Sequence, residues 1–570
     1  MKTHHSKQTI LSFMFLPAFL LTIQAQEEKI LVPQTGYLAS QNKIAVVRVP
    51  ADSFYVSGMN DQLLYRGKLG KAETWAFSNE KVQLADLSGM TVPGDYLLSL
   101  AGSGERRRIQ ITADPYGGIA SAAVKAFYYN RCSYPVLPKF GGRWARKAGH
   151  PDTEVLVHSS AVSPGRPEGT LLSCPGGWYD AGDYNKYIVN SSITVYTLFL
   201  AYELYPDYWG SRDLNIPESG NRLPDILDET LFNLRWMLTM QDTDGGVYHK
   251  CTTKQFEGFV MPEEAHEKRY VIQKNTAASL DFAATMAHAS ALLSNFKSEL
   301  PGLADSCRRA AFAAWTWCKA NPDILYEQPG DIGTGAYGDR DIRDEWFWAG
   351  TEIAVITGSA FPDSLLDKLT FKTPTWDNVG PLGLITVLKN PGKTDEKVYN
   401  KCQLLYMKYA NHLIDIAVQS AYPVSLDYFA WGSNSDVANQ GLLKMVAYSL
   451  NRDDRFLHSA INDMNYLTGV NPTGYCFITG FGEKSPMRIH HRQSASDMIT
   501  EPVPGFLAGG PNTVVFTDCP DAKRSKLPAM SYVDEECSYS TNEIAINWNA
   551  PLVFLSGAIS SAAGIKPEIK

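Results

Sequence analysis

At 570 residues the chain is too long for one ordinary domain, and 44% hydrophobic with 20% charged residues is the composition of a folded protein, not a disordered one. A formal charge of −8, with Arg106-Arg107-Arg108 the only basic cluster, argues against nucleic acid as a partner. The nine cysteines are odd in number, scattered and without a CxxC pair, which excludes a disulfide framework and a Cys-rich zinc site. They read as mainly buried thiols, with one bridging pair left open.

Residues 1–25 carry Lys2 and Lys7, the apolar run Ile10–Leu21, and Ala25 at a cleavage point, the pattern of a signal peptide. The run is too short to span a bilayer, and no cysteine follows it to take a lipid. Export to the periplasm or medium is expected, with no membrane anchor. Residues 26–113 read as strands: Ile44–Val49, Ser53–Val56, Gln62–Tyr65, Lys81–Leu84, Asp95–Leu100 and Arg108–Ile111, punctuated by Pro93-Gly94 and Gly102-Ser103-Gly104. Several short strands in this span predict a small immunoglobulin-like β-sandwich. Its expected role is to pack on the main domain, with sugar binding as a second reading.

Residues 114–570 switch to helices with apolar residues three and four apart, as at Leu231, Leu234, Met237 and Leu238. Segments such as Ser192–Leu204, Thr276–Leu293, Leu303–Ala320 and Val437–Leu450 predict a mainly α domain of paired helices stacked in a ring. The loops between them are long, and their aromatics favour function.

Three stretches could carry chemistry. Gly176-Gly-Trp178-Tyr-Asp180-Ala-Gly-Asp183-Tyr-Asn-Lys-Tyr187 places two carboxylates three apart, on one side of a helical turn, among glycines and flat rings suited to stacking on sugar. Taken alone, Asp-x-x-Asp reads as readily as a cap, a turn or a calcium ligand set. His490-His491-Arg492 follows a Gly-rich loop; extended backbone would put His490 and Arg492 on one side, as hydrogen-bond partners of sugar hydroxyls. Tyr532-Val-Asp534 through Tyr539 to Asn542-Glu543 supplies a second carboxylate pair. Glu543 there reads as a first-turn helix residue, whose dipole would lower its pKa unless a neighbour such as Asp534 opposed it.

Together these stretches resemble glycoside hydrolase family 9, the inverting cellulase family with an (α/α)6 barrel, and the preceding strands resemble the immunoglobulin-like module of many members. The resemblance implies an endo-acting β-1,4-glucanase on cellulose, xyloglucan or mixed-linkage glucan, working as a monomer. It implies Asp183 as general base, Asp180 as holder of the water, Glu543 as general acid and Asp534 as its support, with base and acid about 6.5–9.5 Å apart. His490 and Arg492 would bind the sugar, and Trp178, Tyr428, Trp431 and Tyr539 would serve as platforms, although Tyr428 and Trp431 read equally well as core aromatics. No cofactor is required. Calcium at Asp339–Glu345 is an open expectation; zinc is not expected, because Cys132, His150 and His158 lack a second Cys-His pair. Exo action on the same barrel and a non-catalytic glycan-binding surface protein are the competing readings.

Overall fold

The computed structural model describes residues 28–565. The signal-peptide reading, on residues 1–25, lies outside them. Nine strands open the chain: β1 (Ile30–Leu31), β2 (Tyr37–Leu38), β3 (Ile44–Val47), β4 (Ser53–Gly58), β5 (Leu63–Lys68), β6 (Glu73–Trp75), β7 (Glu80–Asp86), β8 (Gly94–Leu100) and β9 (Arg106–Thr112). They form two sheets, in the orders β1-β3-β7-β6 and β2-β9-β8-β4-β5. Alternation along β8 turns Tyr96, Leu98 and Leu100 inward. These pack with Val47, Phe54, Val56, Ala85 and Ile111 into a core of the module's own. This is the expected immunoglobulin-like sandwich.

The module is fastened to the rest of the chain on one side. Trp75 is buried against Tyr422 (4.8 Å) and Phe429 (5.9 Å), and Phe77 also meets Phe429 (5.3 Å). The Phe77 carbonyl accepts from Ala529 N at 3.1 Å, and the Gln34 carboxamide oxygen accepts from Glu483 N and Lys484 N.

Eleven helices of ten or more residues follow among the described residues: α1 (Gly117–Tyr129), α2 (Ile188–Leu204), α3 (Asp225–Thr239), α4 (Thr276–Leu293), α5 (Leu303–Ala320), α6 (Arg343–Thr357), α7 (Gly380–Lys389), α8 (Glu396–Gln419), α9 (Ser433–Asn451), α10 (Asp454–Leu467) and α11 (Ile546–Ala562). Contacts run α2–α4–α6–α7–α8–α9–α11 and return to α2, closing the ring of an (α/α)6 barrel. Inner and outer helices differ as their sequences require. Helix α4 buries every residue but Ala291. By contrast α5 buries one stripe, Ala304, Cys307, Ala310, Ala311, Ala314, Trp317 and Cys318. Helix α7 escapes a reading by periodicity because it is apolar on all sides and begins Gly380-Pro381.

Between α1 and α4 the chain adds a small sheet: β10 (Val155–Val157), β11 (Leu171–Leu172), β12 (Lys186–Tyr187), β13 (Lys250–Thr252) and β14 (Tyr270–Val271), in the order β11-β10-β14-β13-β12. Strand β12 begins three residues after Asp183 and, paired with β13, anchors the end of the Asp180–Asp183 loop.

Candidate active site

The Asp180–Asp183 stretch is an irregular bend, not the expected helical turn. Two glycines allow it. Gly177 has φ +77° and lies against Trp236, and a Cβ on Gly182 would stand 2.1 Å from the His490 carbonyl oxygen. That approach brings the first two motifs into contact, since the Gly182 carbonyl accepts both Arg492 N (3.0 Å) and Arg492 Nη1 (2.8 Å).

The bend folds down into the barrel, which overturns the expectation for its aromatics. Trp178 is fully buried, packs on Phe127 at 4.6 Å, and donates Nε1–H to Glu229 at 2.8 Å. It is a core residue and offers no face to a sugar. Tyr179, Tyr184 and Tyr187 are buried likewise.

The two carboxylates share this interior. Asp180 accepts from Asn190 Nδ2 at 2.9 and 3.0 Å and from the Tyr337 hydroxyl at 3.0 Å. Burial, and then the charge of Asp183, push its carboxyl up to about 8. Asp183 accepts from Asn185 N at 3.3 Å, from the Asn185 side-chain amide, and from the Tyr187 hydroxyl at 3.5 Å. Burial raises its pKa too, but the Arg492 guanidinium and the Asn185 donors oppose the rise. Asp183 is therefore the member that ionises first.

Glu543 does not begin a helix. A four-residue helix, Tyr539–Asn542, ends before it; Glu543 is extended (φ −71°, ψ 159°), and α11 starts at Ile546. With no first turn around it, Glu543 feels no helix dipole that would acidify it. The carboxyl is partly buried, and its pKa is raised well above the usual range by burial and by the charge of Asp183, with Asp180 adding to the rise. Asp534 is not the neighbour that does this. Its carboxylate accepts from Met487 N, Arg488 N and Asn542 Nδ2 at 2.9–3.1 Å, and so fastens the loop before His490 to the segment that ends at Glu543. It positions Glu543 and does not charge it.

Main-chain bonds complete the assembly. His490 N donates to the Asn542 carbonyl at 2.9 Å, Gly509 N to the Glu543 carbonyl at 2.8 Å, and Ile546 N to the Asp180 carbonyl at 2.8 Å. His490 Nδ1 lies 2.7 Å from the Glu536 carbonyl, which can only accept, so Nδ1 carries the hydrogen and Nε2 the lone pair. Burial lowers this imidazole to about 4, so it is neutral at pH 7. Arg492 departs in part from its expected role, because Nε and Nη1 are committed to the carbonyls of Glu257 (2.8 Å) and Gly182. Its guanidinium lies against Phe256 and Phe259 and acts on Asp183 and Glu543 through its charge.

Rings line the opening. Tyr539 stands between His490 (5.9 Å) and Trp431 (5.5 Å). Trp431 is 40% and Tyr428 68% exposed, which excludes the core reading of both. Phe259, also exposed, meets His490 at 5.3 Å. Sequence reasoning missed Phe259, and it missed Tyr337, which joins Asp180 to Trp376 (5.2 Å) and Tyr187 (4.7 Å). The only signal was a tyrosine set in the Gly-rich segment Gly335-Ala-Tyr337-Gly338.

Among the described residues no group of three or more His, Cys, Asp or Glu is arranged to hold a metal. His150 spends both ring nitrogens on Tyr179 and Glu257, and His158 spends its two on Ser160 and Asp331, so they do not converge with Cys132. At the calcium candidate, Asp339, Asp344 and Glu345 are buried together with Asp281, whose two carboxyl oxygens have no partner. Burial raises all four carboxyls, Asp344 to about 6, and repulsion within the group adds to the rise at Asp281, Asp344 and Glu345. The charge suits a cation, while the side-chain placement is not that of a formed ligand set.

The comparisons with known proteins agree with this geometry. Residues 116–556 match the model of glycosyl hydrolase family 9. The chain belongs to that family. Residues 25–105 of this family 9 chain match the cellulase N-terminal ig-like domain. It is 41% identical over 554 residues to a xyloglucan-specific endo-beta-1,4-glucanase of Bacteroides ovatus, covering 93% of each chain. Endoglucanase D of Acetivibrio thermocellus is 31% identical, over 94% of this chain and 84% of the relative. Among solved structures, a Bacteroides ovatus family 9 protein superposes with a TM-score of 0.87 at 40% identity, covering 94% of this chain and 99% of the other. A thermostable endoglucanase of Alicyclobacillus acidocaldarius gives 0.86 at 30% identity, with coverage of 94% and 99%.

Proposed function

We propose that Asp183 and Glu543 are the base and the acid with which this glycoside hydrolase, an endo-β-1,4-glucanase, cleaves a plant β-glucan with inversion of configuration. One observation carries the assignment: main-chain bonds from Arg492 to Gly182, His490 to Asn542 and Ile546 to Asp180 bring the two carboxyls into one site, where burial and then the charge of Asp183 raise Glu543, while Arg492 and the Asn185 donors oppose the rise at Asp183. Two carboxyl groups with opposed protonation states are what acid–base glycoside hydrolysis needs. Ionised Asp183 takes a proton from water on one face of the sugar ring. Asp180, at about 8, keeps its own proton at neutral pH and orients that water. Glu543 gives its proton to the leaving glycosidic oxygen. Neutral His490 accepts from a sugar hydroxyl at Nε2, and Tyr539, Trp431, Tyr428 and Phe259 supply faces for neighbouring rings.

Xyloglucan is the first substrate to assay, since the Bacteroides ovatus relative is named for it. The division into an exported leader (1–25), a module (26–113) and a catalytic domain (114–570), delivery to the periplasm or medium, and action as a monomer belong to the same proposal. The test is NMR of the freshly released anomer on xyloglucan, mixed-linkage glucan and soluble cellulose, beside viscosity loss. Inverted product with rapid loss of viscosity is expected. Retained configuration refutes the mechanism, and slow viscosity loss refutes endo action.

A further inference from the structure

Two charged side chains near the base are left unused by the mechanism, Arg269, which is paired with Asp152, and Lys250, which is not. Lys250 is fully buried on β13, directly opposite Tyr187 of β12. Its ammonium donates to Gln328 Oε1 (3.1 Å), Thr334 Oγ1 (3.2 Å) and the Gly335 carbonyl (2.7 Å), all of them neutral acceptors. It lies 5.5 Å from the centre of the Tyr187 ring and 5.6 Å from that of Tyr326. A buried lysine is ordinarily neutralised by a carboxylate in contact. Here none of the described ion pairs includes it, and the one negative group acting on it is Asp183.

The geometry around it leads back to the base from two sides. The Tyr187 hydroxyl touches Asp183, and the Tyr187 ring packs on Tyr337, whose hydroxyl donates to Asp180. The segment that Lys250 holds, from Gln328 to Gly335, runs directly into Tyr337. Thr252, two residues on along β13, bonds both Thr334 (2.7 Å) and Asn185 (2.9 Å), the residue that donates to Asp183.

We propose that Lys250 is a positioning residue for the water-activating pair: its isolated ammonium keeps Asp183 ionised across the Tyr187 ring and ties the Tyr337 segment to the strand that follows Asp183. The groups facing it are Asp183 and Tyr187 from the β12 side, Tyr326 from the 326–337 segment, and His249, the residue just before β13, while Arg269 acts on Asp183 as well. Burial holds His249 neutral, at about 3, so it brings no competing charge. Burial also lowers Lys250 itself to about 7, opposed by Asp183, so the cation is strongest on the acid side, where Asp183 needs it.

The inference rests on Asp183 being the base, and its test separates the two. The acid limb of kcat/KM against pH is measured for the full chain, for Lys250→Met and Lys250→Gln, for Lys250→Arg, and for Thr334→Val, which loses the hydroxyl's bonds to Lys250 and Thr252 and keeps the charge. Removing a positive charge raises the pKa of Asp183. Both neutral variants therefore move the acid limb upward by about half a pH unit or more, while Lys250→Arg and Thr334→Val leave it in place. An unmoved limb in a folded neutral variant overturns the proposal. So does failure of both neutral variants to fold, which assigns Lys250 to the fold alone. Asp183→Asn is run beside them: if it keeps turnover, the base assignment has failed; if it is inactive and the limb of Lys250→Met is unmoved, only the role of Lys250 has failed.

Discussion

Replacing Trp75 by alanine probes what the immunoglobulin-like module does for the cleft. Trp75 is 5% exposed, and its ring is shared between Phe77 of its own module and Tyr422 and Phe429 of the barrel. Truncating a buried tryptophan costs about 3–5 kcal/mol, so the variant melts earlier. The functional consequence is more specific. Phe429 is flanked by the exposed rings of Tyr428 and Trp431, proposed above as sugar platforms, and it packs on Trp75 and Phe77 of the module. Releasing Phe429 frees that loop and costs one stacking platform, about 0.5–1.5 kcal/mol, or about 2- to 12-fold in KM. Only a glucan chain long enough to reach Tyr428 and Trp431 feels the loss. The assay is steady-state hydrolysis of a long soluble glucan and of cellotriose by the purified full chain, below the variant's melting range. KM on the polymer is expected to rise, with kcat and the cellotriose parameters nearly unchanged. Equal losses on both substrates, or an unchanged KM on the polymer, would show that the module supports the fold without supporting the cleft.

Glu543→Gln is expected to lower turnover about 10²- to 10⁴-fold while leaving binding of a cello-oligosaccharide, followed by calorimetry, intact. Because the folded pKa of Glu543 lies above its unfolded value, ionising it costs stability as pH rises, so the variant melts higher than wild type at pH 8. That advantage disappears below about 4.5, where both states of the wild type hold the proton. Cys519 and Cys537 form a bridge across 18 residues just before Tyr539. Cys519→Ala with Cys537→Ala is expected to cost up to about 3 kcal/mol in chemical denaturation and to raise KM more than it lowers kcat. Calcium added to chelator-treated protein is expected to raise the melting temperature by relieving repulsion among Asp281, Asp339, Asp344 and Glu345, with activity surviving chelation. A melting temperature indifferent to calcium would show that shared protons suffice there.

The architecture was legible because period-two and period-3.6 patterning report which face is buried, as along β8 and α5, while α7, buried on all sides, has no such pattern and was missed. The site was legible only as residue types. Asp183, Asp180, His490 and Glu543 could be named, but the environment of each depended on backbone that local sequence misstates. Glu543 was expected in the first turn of a long helix, yet the four-residue helix Tyr539–Asn542 ends before it, because Glu543 and Ile544 pair with His490 and Ala508 as extended chain. Trp178 failed for a related reason. An aromatic beside two glycines looks exposed, whereas Gly177 turns this one under α3. Lys250, Tyr337 and Phe259 carry no motif at all; only tertiary placement gives them meaning.

The struts that set Glu543 against Asp180 and Gly182 are peptide groups: Ile546 to Asp180, Arg492 to Gly182, His490 to Asn542. No side-chain substitution deletes a peptide group, short of proline. The rim residues Tyr428, Trp431, Phe256 and Phe259 belong to loops outside that scaffold. Variation at the rim can therefore change what reaches the site, while the placement of Asp183 against Glu543 stays set by the main chain.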